Sequence, residues 1–114
     1  MLKIYHNPQC SKSRDGLQVL IDSGEDFEII EYLKNPPSEE ELKEIISFLN
    51  ISAEDLVRKN EAIWKEKYKE KTLTEKEIIQ AMIENPKLIE RPIVVRNGNA
   101  VIGRPTKNIE NLLG

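Results

Sequence analysis

Residues 2–33 read LKIYHNPQCSKSRDGLQVLIDSGEDFEIIEYL, and their pattern predicts how the chain begins to fold. Residues 2–6 are a short apolar-rich run of strand character. Apolar residues then recur at helical spacing over about 10–23, and Gly24 follows as a natural helix stop. Residues 26–33 form a second strand-like run. A strand, a helix and a strand in so short a stretch predict two parallel strands joined by a right-handed crossover.

The middle of the chain, residues 38–88, is predicted to be helical. A serine or threonine three residues before an acidic residue is typical of a helix N-terminus, because each side chain can bond the other's backbone N–H group. This signature occurs at three places: Ser38 with Glu41, Ser52 with Asp55, and Thr74 with Glu77. We detect no strand pattern within the segment. We interpret it as a helical insertion and not as an independent domain.

The C-terminal part returns to strand patterns. Residues 91–103, RPIVVRNGNAVIG, are two apolar runs joined by Asn97-Gly98. Asn-Gly adopts the positive φ angles of a type I′ turn, so this segment predicts a β-hairpin. The following TKNIENLL predicts a last helix. The order β-α-β, helices, β-β-α is that of an α/β thioredoxin-like fold, so we expect residues 1–114 to form one thioredoxin-like domain with a helical lobe inserted at about 38–88.

Length and composition limit the classes of function. The chain has 114 residues, a formal net charge of -3 and 32% charged residues of both signs. Because no strongly basic field covers the chain, nucleic-acid binding is not expected as its main role. No apolar run is long enough to cross a membrane, and the N-terminus lacks the pattern of a secretory signal. We expect a cytoplasmic monomer that binds neither nucleic acid nor membrane.

The only cysteine of the chain, Cys10, and its only histidine, His6, lie in the segment HNPQCSK. Cys10 falls at or near the first turn of the predicted helix, where backbone N–H groups and the helix dipole favour negative charge. Such a position lowers the pKa of a thiol and also forms an anion site. We interpret Cys10 as a reactive thiolate, with a small buried apolar residue as the alternative. One cysteine and one histidine are too few ligands for a metal site, so none is expected.

Two polar neighbours of Cys10 are candidates for supporting roles. Ser13 completes a Cys-x-x-Ser pattern and could donate a hydrogen bond to the thiolate from the first helical turn. It could equally be an ordinary residue of a helix start. His6 could raise the local positive potential, but we favour a structural role for a single histidine at the end of a strand.

Three arginines are candidates for binding an oxyanion. The planar guanidinium suits tetrahedral oxyanions and keeps its charge. Arg58 ends the short helix of DLVRKN, Arg91 directly precedes a predicted strand, and Arg104 directly follows one. Strand ends of open α/β sheets tend to meet at the ligand crevice. A solvated surface position is the alternative for each arginine taken alone, and we interpret Arg14 and Arg96 as surface residues.

Five blocks of the sequence resemble one known family: YHNPQCSKSR, YLKNPPS, LVRKNE, NPKLIERPIVV and GRPTKNI occur in the family's order and spacing. Over nearly its whole length the chain is similar to the glutaredoxin-dependent arsenate reductases of the thioredoxin-like ArsC/Spx superfamily. The resemblance implies that Cys10 is the catalytic nucleophile and that Arg58, Arg91 and Arg104 bind arsenate or arsenite. It also implies a cis peptide bond before Pro92.

The same resemblance implies an arsenate reductase that makes arsenite, with glutathione as co-substrate and glutaredoxin as protein partner. It implies no metal and no bound organic cofactor. Reduction of As(V) to As(III) takes two electrons, and Cys10 has no second cysteine in the chain with which to form a disulfide. We therefore expect the electrons to come from external thiols.

Other classes of function stay open at this point. Spx-type regulators bind RNA polymerase and resemble Cys-x-x-Cys proteins, whereas position 13 here is serine. A general glutathione-linked thiol reductase without oxyanion specificity is a second alternative. A sister branch of reductase-like proteins usually lacks the Arg-Pro after the last strand, and Arg104-Pro105 favours the arsenate branch. A charged segment with Trp64 and Tyr68 could dock a partner, or could pack on the helical lobe with its charges in solvent.

Overall fold

The computed structural model describes residues 2–114, which divide into two compact units. One unit contains the described residues through Asn35 together with Arg91–Gly114, and the other is Pro36–Glu90. The strands are β1 (Leu2–Tyr5), β2 (Glu28–Ile30), β3 (Ile93–Arg96) and β4 (Asn99–Ile102). The helices are α1 (Ser11–Ser23), α2 (Glu39–Leu49), α3 (Ala62–Lys67), α4 (Glu75–Glu84) and α5 (Lys107–Leu113), with short 3-10 helices at Ala53–Leu56 and Pro86–Leu88.

The first unit is built on a four-stranded sheet in the order β2-β1-β3-β4. Strand β1 is parallel to β2 and antiparallel to β3, and β3 is antiparallel to β4. Ile4 lies at the centre of this arrangement, opposite Ile29 on one side and Val94 on the other. The parallel pair with α1 as its crossover confirms the predicted strand–helix–strand unit. The whole arrangement is the thioredoxin-like α/β fold that the element order predicted.

The core of this unit joins the sheet to α1 and α5. Ile4 of β1, Leu20 of α1, Val94 of β3 and Ile109 of α5 are each completely buried. Full burial of an aliphatic side chain of this size contributes about 1.5–3 kcal/mol. These contacts come from both ends of the chain, so they hold α1 and α5 against the sheet.

Local signals set the end of α1 and the hairpin. Gly24 follows α1 with a φ of 75° and donates its N–H to the Ile21 carbonyl at 3.2 Å. Asn97 and Gly98 have φ angles of 47° and 84° in the turn between β3 and β4. Glycine and asparagine adopt positive φ more readily than other residues, so both the helix stop and the hairpin are confirmed.

The second unit is helical, as predicted. Ser38 caps α2 by accepting the N–H of Glu41 at 3.1 Å, and Thr74 and Glu77 form a reciprocal capping box at α4. Helix α4 packs on α2 and on the 3-10 helix Ala53–Leu56. The buried apolar side chains of this unit include Leu42, Ile45, Leu56, Ile78 and Met82.

The charged segment after residue 61 also packs within this unit. The rings of Trp64 and Tyr68 are stacked with centroids 5.4 Å apart, and Trp64 is buried. The Asn85 side-chain amide donates to the Tyr68 hydroxyl at 3.3 Å. These contacts support the packing alternative over a docking patch for the two aromatic rings.

Strand β2 is shorter than the sequence pattern predicted, since it covers Glu28–Ile30 and not residues 26–33. The chain turns directly after it: the N–H groups of Lys34 and Asn35 both donate to the Glu31 carbonyl at 3.0 Å. In this turn the backbone groups are bonded locally and are not available to extend the strand.

Across residues 2–114, no helix has the length and apolar character needed to cross a membrane.

Candidate functional site

Cys10 is the N-cap residue of α1 and is partly exposed. Its backbone is extended, with φ -97° and ψ 122°, and its carbonyl accepts the Arg14 N–H at 3.0 Å. Its own N–H donates to the Asn7 carbonyl at 3.0 Å, which closes a tight turn between β1 and α1. The sulfur therefore stands at the positive end of the helix dipole, where the first backbone N–H groups of the helix lack intrahelical acceptors.

The surroundings of Cys10 lower the pKa of its thiol below the ordinary value. Partial burial is the largest single influence on this pKa, and it acts in the raising direction. It is outweighed by the hydrogen bond from the Ser13 backbone N–H, by the hydrogen bond and positive charge of the Arg91 side chain, and by the Lys12 N–H. Each of these favours the charged form of sulfur. The nucleophilic thiolate is therefore more populated at neutral pH than it is for an ordinary cysteine.

Arg91 lies two residues before β3, and its side chain comes to the Cys10 thiol from a distant part of the sequence. Its peptide bond to Pro92 is cis, which confirms that prediction. The Pro92 carbonyl accepts the Gly103 N–H at 2.8 Å, and the peptide bond between Arg104 and Pro105 is also cis. Arg91 and Arg104 thus flank the same end of the β3–β4 hairpin, one before its first strand and one after its second.

Ser13 is fully buried and connects the end of β1 to α1. Its Oγ accepts the Asn7 N–H at 3.0 Å and lies 2.7 Å from His6 Nδ1. These two bonds hold the loop that precedes Cys10 against the first turn of the helix. The backbone N–H of Ser13 acts on the sulfur, while the described partners of its hydroxyl are His6 and Asn7. A hydrogen bond from the hydroxyl itself to the thiolate stays a prediction.

His6 is buried at the end of β1, and its backbone N–H donates to the Ile30 carbonyl at 2.8 Å. Desolvation by burial is the main cause that lowers the pKa of its imidazole; the charge of Glu31 opposes this effect and the charge of Arg14 adds to it. A lowered pKa keeps the ring neutral at pH 7. This environment favours the structural role for His6 over a contribution of positive charge.

Arg58 lies in the helical unit, and its position is set by that unit. Its backbone N–H donates to the Leu88 carbonyl at 2.7 Å, beside an antiparallel bridge between Val57 and Ile89. Its Nη1 donates to the Lys87 carbonyl at 3.2 Å. The part of Arg58 in oxyanion binding stays a prediction.

Residues 5–112 match the model of the ArsC family. The chain belongs to the ArsC family. An arsenate reductase of Neisseria meningitidis is 41% identical to it over 98% of this chain and 97% of its own length. The uncharacterized protein YfgD of Escherichia coli is 44% identical over 99% of this chain and 97% of its own length. The solved structure of an arsenate reductase from Vibrio cholerae matches with a TM-score of 0.92 at 42% identity, covering 96% of this chain and 95% of that one.

In this ArsC protein, two residues to which the sequence reasoning assigned no role in the site help to hold the loop before Cys10. Arg14 is exposed, as the sequence interpretation had it, and its Nη1 donates to the Pro8 carbonyl at 2.9 Å. Its charge also contributes to lowering the pKa of His6. Asn7 bonds Ser13 through its N–H and accepts the N–H of Gln9 on its side-chain oxygen at 3.0 Å. The Asn-Pro pair could have indicated an Asx turn, since asparagine favours such turns.

The described arrangement suits nucleophilic attack by sulfur on a centre that carries negatively charged oxygens. The thiolate lies at a helix N-terminus, which stabilises anions, and the Arg91 guanidinium adjoins it. A second arginine, Arg104, follows β4 at the same end of the hairpin. Among the residues that the structure describes, no group of three or more His, Cys, Asp or Glu side chains is placed to hold a metal ion.

Proposed function

We propose that this protein is an arsenate reductase that reduces arsenate to arsenite, with Cys10 as its nucleophile. The observation that carries the proposal is the Cys10 thiol at the N-terminus of α1 with the Arg91 side chain beside it and a lowered pKa. Membership of the ArsC family and the relatives named as arsenate reductases support the choice of substrate.

The chemistry begins with attack of the Cys10 thiolate on arsenic. A sulfur–arsenic bond forms, and one arsenate oxygen leaves as water after protonation. A second thiol then attacks the adduct. Over the whole reaction one arsenate and two thiols give one arsenite, one disulfide and one water, so arsenic gains the two electrons that the two sulfur atoms lose.

External thiols supply these electrons in the proposed reaction. Cys10 is the only cysteine in the sequence, so no intramolecular disulfide can take up the oxidation. We assign the second thiol to glutathione and the reduction of the resulting mixed disulfide to glutaredoxin. A reaction that starts from a reduced thiolate also fits a cytoplasmic location, where thiols stay reduced.

Arginine side chains stabilise the negative oxygens in this scheme. Arg91 adjoins the sulfur, and Arg104 flanks the same hairpin end. Arg58 is assigned the third binding position on the resemblance of LVRKNE to the family motif. Guanidinium groups arranged in advance around the developing charge are the kind of electrostatic stabilisation that often contributes most to such reactions.

A coupled assay tests the proposed function. Consumption of NADPH is followed with arsenate, glutathione, glutaredoxin and glutathione reductase, for the wild type and for Cys10→Ser. We expect arsenate-dependent turnover that Cys10→Ser abolishes. Turnover that needs no arsenate but uses a small disulfide would favour the general thiol reductase, and absence of Cys10-dependent arsenate turnover would rule out the proposal.

Arginine variants extend the test to the binding residues. Replacing Arg58, Arg91 or Arg104 by alanine should weaken arsenate turnover while Cys10 stays open to alkylation. Arg96→Ala is the matched control, because Arg96 bonds Glu25 and the Leu113 carbonyl and is assigned no part in binding. Any of the three variants with wild-type arsenate kinetics would remove that arginine from the site.

A further inference from the structure

We propose that Glu61 is a positioning residue for Arg58 and holds its guanidinium ready for the oxyanion. This role rests on the proposed function, because it matters for turnover only if Arg58 binds arsenate or arsenite. Both residues belong to the helical unit and lie three positions apart. Glu61 itself would not touch the substrate; its effect would pass through Arg58.

The ion pair between the two side chains is the first observation. Glu61 Oε2 lies 3.2 Å from Arg58 Nη2, and the two side chains are only 27% and 24% exposed. Solvent and salt screen such a pair less than a fully exposed one. The neighbouring pair of Lys59 and Glu54 is closer, at 2.8 Å, but its side chains are 51% and 57% exposed. The Arg58–Glu61 pair is therefore the better placed of the two to hold a side chain in one conformation.

The second observation is that the Glu61 carboxylate is not used to cap a helix. Glu61 is the N-cap residue of α3, yet its side chain makes no capping hydrogen bond. Its backbone N–H instead donates to the Arg58 carbonyl at 3.1 Å. Both the main chain and the side chain of Glu61 thus contact Arg58, which is more than the start of a short helix requires.

The third observation is how the Arg58 side chain is held. Nη1 donates to the Lys87 carbonyl and Nη2 faces Glu61, so the guanidinium is fixed from two directions. A guanidinium has five N–H donors, and these two contacts leave others for a ligand. A flexible side chain loses rotamer freedom when it binds, and an arginine ordered beforehand loses less of it at that step. Glu61 should therefore strengthen arsenate binding, although its charge repels the oxyanion.

Steady-state kinetics with arsenate test this role, using the coupled assay on the full chain. The variants are Glu61→Ala, Glu61→Gln, Arg58→Ala and the double variant with both alanines. We expect Glu61→Ala to lower kcat/KM for arsenate about two- to fivefold, the range of a partly exposed ion pair, mainly through a higher KM. Glu54→Gln is the control for loss of a neighbouring acidic partner, and it should leave kcat/KM unchanged.

The double variant separates positioning from an independent effect. If Glu61 acts through Arg58, removing it from the Arg58→Ala protein changes kcat/KM no further. The pH midpoint of Cys10 alkylation should stay the same in all variants. Glu61→Gln keeps the side-chain shape and loses only the charge, so it gives the same comparison should Glu61→Ala melt at a lower temperature.

Three results would overturn the role of Glu61 in a wild type that reduces arsenate. They are unchanged kinetics in both Glu61 variants, unchanged kinetics in Arg58→Ala, and an equal loss from Glu61→Ala with and without Arg58. A wild type that does not turn over arsenate would instead overturn the proposed function, and the role of Glu61 with it.

Discussion

The Nδ1 atom of His6 lies 2.7 Å from the Oγ of Ser13, and both side chains are buried. His6 is the residue directly after β1, and Ser13 is in the first turn of α1. The bond therefore ties the strand to the helix on either side of Cys10. Because the loop between His6 and Ser13 is short, loss of this bond should shift the position of the Cys10 sulfur.

The first prediction concerns Ser13. Ser13→Ala leaves the His6 ring nitrogen and the Asn7 N–H without their hydroxyl partner in a buried place, and such a loss costs about 1–3 kcal/mol of unfolding free energy. Urea denaturation measures this loss. Ser11→Ala, at an exposed position two residues earlier in the same helix, is the control and should change the unfolding free energy by less than about 0.5 kcal/mol. Equal unfolding free energies for the two variants would contradict the importance of the His6–Ser13 bond.

The second prediction concerns the Cys10 thiolate. The pKa of Cys10 is lowered, so the rate of alkylation by iodoacetamide should reach half its maximum at a pH below that of an ordinary thiol. Arg91→Gln removes a hydrogen bond and a positive charge that favour the thiolate, so it should move this midpoint to higher pH. Arg96→Gln, at the other end of β3, should not move it. A midpoint that is the same in Arg91→Gln and wild type would exclude Arg91 as a cause of the lowered pKa.

The third prediction concerns the stability of the fold in acid. The pKa of His6 is lowered in the folded protein, whereas in the unfolded chain it is about 6.5. As the pH falls, the unfolded state therefore binds a proton on His6 before the folded state does. The stability that the neutral His6 gives at higher pH is lost as the pH falls from the unfolded-state pKa to the folded-state pKa. Carboxylates add their own acid dependence, so the difference between wild type and His6→Gln isolates the histidine. Urea unfolding from pH 7.5 down to about 5 should show a smaller loss of stability in His6→Gln; parallel losses would contradict this.

The fourth prediction concerns Gly16, which is buried in α1. A Cβ added there would lie 2.8 Å from Pro92 Cγ and 3.0 Å from Ile109 Cδ1. Overpacking of this kind costs about 1–3 kcal/mol, more than the ~1 kcal/mol that alanine gains over glycine in a helix. Gly16→Ala should therefore lower the melting temperature. The exposed Gln18→Ala is the control, and a Gly16→Ala protein as stable as that control would show that Pro92 can move aside.

A large part of the fold could be predicted because short-range chemistry sets it. Gly24 ends α1, Asn97-Gly98 makes the hairpin turn, and the Thr74 capping box begins α4, each through contacts within a few residues. The element order then left few topologies, since parallel crossovers are right-handed. The pattern was less informative for β2, because a turn competes with the strand for the same backbone groups after Ile30.

The candidate site was predicted in part. The helix pattern alone placed Cys10 at the start of α1, and the structure has it as the N-cap. The arginines were candidates for binding an oxyanion through their chemistry and their positions beside strands and a helix, and the resemblance to a family specified that oxyanion as arsenate or arsenite. Arg14 was set aside because an exposed arginine on a helix is usually a surface residue, and nothing in its spacing indicated the Pro8 carbonyl as its partner.

The amino-acid sequence by itself determined the extent of α1, the β3–β4 hairpin and the starts of α2 and α4, and that a single thiol stands at a helix N-terminus. Tertiary structure alone decided that the Arg91 side chain meets that thiol, that the Ser13 hydroxyl bonds His6 and that Arg58 pairs with Glu61. The physical reason for this division is the distance along the chain between the groups that interact. Caps and turns form between near neighbours, whereas side-chain partners depend on how the sheet and the helices bring distant segments together.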